Sequence, residues 1–334
     1  MNNYFIYGSL EDTPKYSCRN ATPEPRNPNL PLGVFYIVTG FVVQLAYLAS
    51  LLGIGRKENI QYPAYKLMFA LAIFDLMNIF DCGYWMGYFT IYGFHFCDRP
   101  TEIYLTGLYC ELFYNSASLT SVSLLFNRLL DVAECRYRDL LFKGKSIYLF
   151  ILVPFAIGLY FAGFEHPVVF NPDYGTFIFV PLIPGNMDHE YNFDRQTWLN
   201  MFVCVSLGTF SCLIYVIQWR KEKLMSIKMG SYRKQVLRQA ILVSFFVFTS
   251  SLIWTMLVFI PPGAFAMAMM HIGHISWMLM HSTPALIYLS FNETIRSNVR
   301  RLSRMAPTSR ICHTSTGGAG GPEIPAPNGP AMPA

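Results

Sequence analysis

Apolar residues gather in seven runs along the chain, at 33–54, 65–91, 103–130, 147–164, 198–219, 237–260 and 266–290. Each is close to or beyond the ~20 residues that cross a hydrocarbon layer as a helix. The first, fourth and fifth contain no Asp, Glu, Lys or Arg. In lipid, backbone N–H and C=O groups must find partners within the segment, so continuous apolar runs of this length form helices. The pattern predicts an all-α membrane protein, a seven-transmembrane helix bundle at 33–291.

The remaining segments are short. Residues 1–32 form a polar, proline-rich tail. They lack a basic start followed by an apolar core, so no cleaved signal peptide is expected. Val168 to Phe179 alternates β-favouring residues around Asn171-Pro172-Asp173-Tyr174-Gly175. That alternation reads as a hairpin that would form a lid, with an irregular loop as the alternative. After the seventh run, Ile295, Val299 and Leu302 recur among Arg296, Arg300, Arg301 and Arg304. This predicts an amphipathic juxtamembrane helix over 292–305, lying on an anionic lipid surface. Beyond it, 306–334 is expected to be a disordered tail.

Charge gives the topology. The chain of 334 residues is 53% hydrophobic and 13% charged, below the ~25% typical of soluble domains. Twenty of its 25 Lys and Arg residues fall in the first, third and fifth connecting segments and the C-terminal tail. Such segments stay cytoplasmic, which predicts an outer N-terminus and an inner C-terminus. The +5 net charge is accounted for by this asymmetry and calls for no nucleic-acid partner. Cys18 and Cys97 are the cysteines clearly on the predicted outer side. A disulfide between them would tie the tail to the second connecting hairpin; two free thiols are the alternative. Asn20-Ala21-Thr22 is an outer glycosylation sequon, whereas Asn292-Glu293-Thr294 falls inside and should stay unmodified.

Ionisable groups inside lipid are costly and usually mark function. Asp75 falls near mid-membrane in the second run, as a candidate switch that holds a cation or a proton. Asp81, further out, is expected to be wetted by an outer cavity. Glu111 lies at the depth of a ligand pocket in the third run, or else at the interface. Arg128 closes that run on the inner side, either as a switch or as a snorkelling side chain. His271, His274 and His281 share one helix face, and His274 approaches Trp277. His271 and His274 stand one turn apart, but a metal site would need further convergent ligands, so neither a metal nor a cofactor is expected. Pro284 would kink the seventh span.

Several stretches together resemble the nematode serpentine receptors, and within them serpentine receptor class T. They are Gly33-Val34-Phe35-Tyr36, Tyr65-Lys66-Leu67-Met68 with Asp75-Leu76, and Gly93-Phe94-His95-Phe96-Cys97 with Pro100. Leu125-Phe126-Asn127-Arg128, Leu141-Phe142-Lys143-Gly144 and His274-Ile275-Ser276-Trp277 follow. Pro284-Ala285-Leu286-Ile287-Tyr288-Leu289 and Asn292-Glu293-Thr294-Ile295-Arg296 complete the set. The resemblance runs from about residue 16 to 305. It implies a chemosensory G-protein-coupled receptor of the plasma membrane, in the cilium of a sensory neuron. It places Asn127-Arg128 where rhodopsin-like receptors carry Asp-Arg-Tyr. Asn127 then stands in the acidic position, and the ion lock of that motif is absent. Pro284 to Tyr288 is not an NPxxY motif.

The reading that follows is a receptor without enzymatic activity. A small molecule would enter from outside and lie among Tyr84, Trp85, Tyr109, Glu111, Tyr114, His274 and Trp277. Asp75, Asn127, Arg128, Pro284 and Tyr288 would carry the switch to a heterotrimeric G protein on the inner face. The rivals are a seven-span transporter and an intramembrane metal hydrolase.

Overall fold

A computed structural model of the chain describes residues 3–186, 191, 193–224, 230–260 and 263–305. The expected disordered tail at 306–334 lies outside the described residues, as do Lys228 and Arg310. Seven long helices form the bundle: α1 (Leu30–Ile54), α2 (Pro63–Tyr92), α3 (Pro100–Val132), α4 (Ser146–Phe164), α5 (Asp194–Leu224), α6 (Ser231–Leu257) and α7 (Ala264–Phe291). A further helix, α8 (Glu293–Met305), follows. By length and composition α1, α2, α4, α5 and α6 are each fit to cross a membrane. The 33-residue α3 and 28-residue α7 have the length too, and they carry many of the polar side chains of the interior.

Local chemistry sets the helix ends. The Asn29 side chain accepts the Leu32 N–H, and Pro31 occupies the first turn of α1. Gly93, at φ +60°, takes the left-handed conformation that ends α2. A wide π turn over Phe80–Trp85 interrupts α2. Such a turn shifts the phase of every side chain beyond it.

The helices pack with α3 at the centre, touching α2, α4, α5 and α6, while α7 joins α6 to α1 and α2. Small residues bring α1 and α2 together. A Cβ at Gly83 would lie 2.9 Å from the Gly40 Cα, and one at Gly87 would lie 2.8 Å from the Gly33 carbonyl oxygen. Glycines four apart on α2 thus let two backbones meet, a common device of membrane helices. The outward face of α1 leaves Phe35, Val38, Phe41, Val42 and Leu45 more than half exposed, as suits contact with lipid.

One end of the bundle is roofed in two layers. The inner layer is an antiparallel hairpin, β1 (Val169–Asn171) and β2 (Thr176–Ile178), with Phe170 opposite Phe177. The Asn171 side chain accepts the Asp173 N–H at 2.9 Å and closes the turn. Gly107 makes room for the hairpin, since a Cβ there would sit 1.8 Å from the Val168 carbonyl oxygen. The outer layer is the N-terminal tail. A Cys18–Cys97 disulfide joins it to the start of α3, Asn186 donates to the carbonyls of Pro14 and Ser17, and Asn27 donates to Asp173 at the hairpin tip.

The opposite end collects the basic segments. Lys66 lies over the Tyr148 ring, Lys221 pairs with Glu134 at 2.7 Å, and Gln235 donates to the Phe291 carbonyl. The apolar face of α8 packs inward: Ile295 is fully buried against Gly53, and the Asn298 amide donates to the Gly53 carbonyl at 3.4 Å.

Candidate functional site

Beneath the hairpin lies a small cavity of ≈ 50 Å³, bounded by α3, α5, α6, α7 and the hairpin. That is room for about four water-sized atoms. Cys110, Glu111 and Tyr114 come from α3, Gln196 and Asn200 from α5, Trp254 from α6 and Trp277 from α7; Val168, Phe177 and Phe179 roof it. Phe179 meets Trp254 edge-on at 5.8 Å between centroids, and Phe177 meets Trp277 at 6.0 Å.

The polar wall facing α5 is closed upon itself. Asn115 and Gln196 exchange two amide hydrogen bonds, each 3.0 Å, and Asn200 Oδ1 accepts from Tyr114 at 3.2 Å. Glu111 differs. The Val168 backbone N–H donates to its carboxylate, while Oε2 has no partner and the side chain is buried. The indole N–H of Trp277 is also buried without a partner.

Of the seven pocket residues expected from sequence, Glu111, Tyr114 and Trp277 line this cavity. His274 stands one shell back, 3.3 Å from Thr176 Oγ1 and edge-on to Tyr36. The other three lie elsewhere. Tyr84 donates to Gln44 on α1 at 2.7 Å, Tyr109 donates to the Met77 carbonyl at 3.1 Å, and Trp85 packs on Tyr88 and Phe89. The π turn in α2 accounts for part of this, because Tyr84 and Trp85 lie within it. The same turn holds Asp81, which is fully buried and so is not wetted by an outer cavity. Gln196, Asn200, Phe179 and Trp254 were not anticipated. The i, i+4 pair Gln196 and Asn200, where the fifth apolar run begins, was the signal available.

Deeper in the bundle, Asp75 and His281 meet. His281 Nδ1 and Asp75 Oδ1 share a hydrogen bond of 2.7 Å, with both side chains buried. Tyr47 of α1 donates to the His281 carbonyl at 2.6 Å, and Tyr288 is buried near Asp75. Pro284 lies between them inside α7, and Ser50 donates to the carbonyl of Ala285 beside it. His274 and His281 thus have different partners, and no group of three or more His, Cys, Asp or Glu among the described residues is placed to hold a metal ion.

At the basic end, Arg128 is held by the Asn127 side chain and lies 3.6 Å from Asp131, which also pairs with Arg138 at 2.5 Å. The motif's acidic position is still held by Asn127, and the carboxylate near Arg128 comes from elsewhere. Asn127 is not acidic, but Asp131 one turn later supplies the carboxylate, at the i+3 spacing that brings side chains together on a helix. Asn292, part of a sequon expected to stay silent, is a junction. Its Oδ1 accepts the Ile295 N–H to cap α8, and its amide donates to Tyr65 at 3.4 Å and to Gln239 at 3.2 Å.

A seven-helix membrane bundle with a lidded cavity at one end and a basic face at the other has the build of a serpentine receptor. Residues 3–311 match the family described as serpentine type 7TM GPCR chemoreceptor Srt. The chain is also 22% identical over 314 residues to serpentine receptor class T-55 of Caenorhabditis elegans, covering 91% of this chain and 85% of that one. The chain belongs to the Srt family of seven-transmembrane chemoreceptors, a family of receptors rather than enzymes.

Proposed function

We propose that the protein binds a small molecule in the cavity under the hairpin and signals to a heterotrimeric G protein at its basic face. The tail and hairpin then lie outside and the basic end inside, in the plasma membrane of a sensory cell. One observation carries the reading. The single helix α3 runs from the cavity, at Glu111 and Tyr114, to the basic end, at Arg128. A ligand that binds two packings of α3 unequally shifts their populations, and with them the surface offered to the partner. Beside Arg128 that surface is a cleft lined by Asp131, Glu134, Cys135, Arg136, Arg138 and Asp139. The test is expression in reporter cells, with odorant panels applied and cAMP, cGMP and calcium read. Arg128→Ala should abolish the response while leaving surface expression intact. A full response from that variant would sink the switch role of Arg128, and solute flux without G-protein dependence would favour a transporter.

A further inference from the structure

Glu111 is a carboxylate in an aromatic box with no Lys or Arg beside it among the described residues. Five Lys and Arg residues lie at the roofed end, and each is engaged elsewhere. Lys15 donates to His166 and lies over the Tyr191 ring, and Arg19 pairs with Asp12. Arg26 pairs with Asp98, Arg99 with Glu102 and Arg195 with Glu165. None of them lines the cavity. His274 is held by Thr176 and Tyr36, and His271 lies by Gly175 at the hairpin tip. Around Glu111 stand Tyr114, Phe177, Phe179, Trp254 and Trp277. Aromatic faces attract cations, most strongly when water is excluded. A carboxylate with a free oxygen accepts charge-assisted hydrogen bonds from an ammonium group.

We propose that the cavity recognises a small organic ammonium ion, its N–H groups donating to Glu111 Oε2 and its alkyl part lying against the aromatic walls. This rests on the reading that the cavity is the ligand site. The small cavity volume favours a compact ammonium ion and calls for some movement of the walls to seat a longer one. A buried carboxylate of this kind rejects acids by repulsion. It also discriminates against neutral isosteres, which offer it no countercharge.

The test uses the full chain in lipid nanodiscs, with thermal stabilisation as the binding readout. The probes are n-propylamine and ethanolamine, with 1-propanol and acetate as size-matched neutral and anionic controls. The amines should stabilise the wild-type chain and the controls should not. Glu111→Gln should weaken amine binding by about thirtyfold or more, the effect of removing one partner of a buried charge pair. Glu111→Asp, which keeps the charge, should retain selectivity for amines and keeps the proposal testable if Glu111→Gln does not fold. Stabilisation by 1-propanol equal to that by propylamine, an unchanged amine affinity in Glu111→Gln, or no amine binding would overturn the proposal. Amine binding with no G-protein signal in reporter cells would sink the signalling reading and support this one.

Discussion

A buried carboxylate facing a buried imidazole joins two helices only while both are present. Removing Asp75 leaves His281 Nδ1 without its hydrogen-bond partner, at a cost of about 1–3 kcal/mol. Asp75→Ala should therefore lower the melting midpoint in nanodiscs. The double variant with His281→Ala should cost less than the sum of the two single changes, the signature of a shared interaction. Asp75 was legible in the sequence because a carboxylate in mid-span is rare. Its partner was not, because three histidines on one face of α7 read alike and their separate environments come from neighbouring helices. A second residue, His166, lies outside the spans. Burial first, and the Lys15 charge second, hold its pKa below the ordinary value of about 6.5. The stability this lends is fully present above that ordinary value and is lost as pH falls from it toward the depressed folded value. Lys15 donates to the neutral ring, so acidification weakens the contact between tail and loop. Amide protection over Lys15–Ser17, taken as the exchange rate relative to the intrinsic rate at the same pH, should be weaker at pH 5.5 than at pH 7.5, and His166→Asn should flatten that difference.

Between helices, the seam of α1 and α2 depends on having no side chain at Gly83. A methyl group there meets the Gly40 backbone at 2.9 Å, and backbone cannot rotate aside as a flexible side chain can. Gly83→Ala should cost about 1–3 kcal/mol, read as a lower melting midpoint with little change in surface expression if the fold survives. Seven helices and their rough ends were legible, because span length and apolar runs are set by the bilayer itself. The hairpin was legible from its alternation and turn residues. The π turn was not, since a uniform 100° per residue carries no sign of one extra residue, and Tyr84, Trp85 and Asp81, which depart from their expected places, all lie within it. At the basic end, Gln239 and Gln235 tie α6 to Asn292 and to the Phe291 carbonyl. If signalling requires α6 to move from α7, these bonds hold the resting packing. Gln239→Leu should then raise ligand-free signalling in reporter cells, and an unchanged basal level would rule out that role.

At the scale of the whole molecule, the two ends are built from opposite chemistry, and charge asymmetry alone foretold which loops share an end. What it did not foretell is how closed the tail end is: the disulfide, the Asn186 contacts and the Asn27–Asp173 bond hold the tail over the hairpin as a second layer. The structure also changes how topology must be tested. Silence of the Asn292 sequon does not report an inner location, because the Asn292 side chain is buried and its amide donates to Tyr65 and Gln239. A glycan on that amide nitrogen would break both contacts, so the folded protein is expected to lack one whichever side Asn292 faces. Asn20 is exposed and carries the informative half. The proposed orientation predicts an enzyme-sensitive mass shift that Asn20→Gln removes. It also predicts that an epitope at the N-terminus is reached by antibody in intact cells, whereas one at the C-terminus is reached only after permeabilisation. Staining of the C-terminal epitope in intact cells would reverse the assignment. The cleft beside Arg128 would then face away from any cytoplasmic G protein, and the coupling half of the proposed function would fall with it.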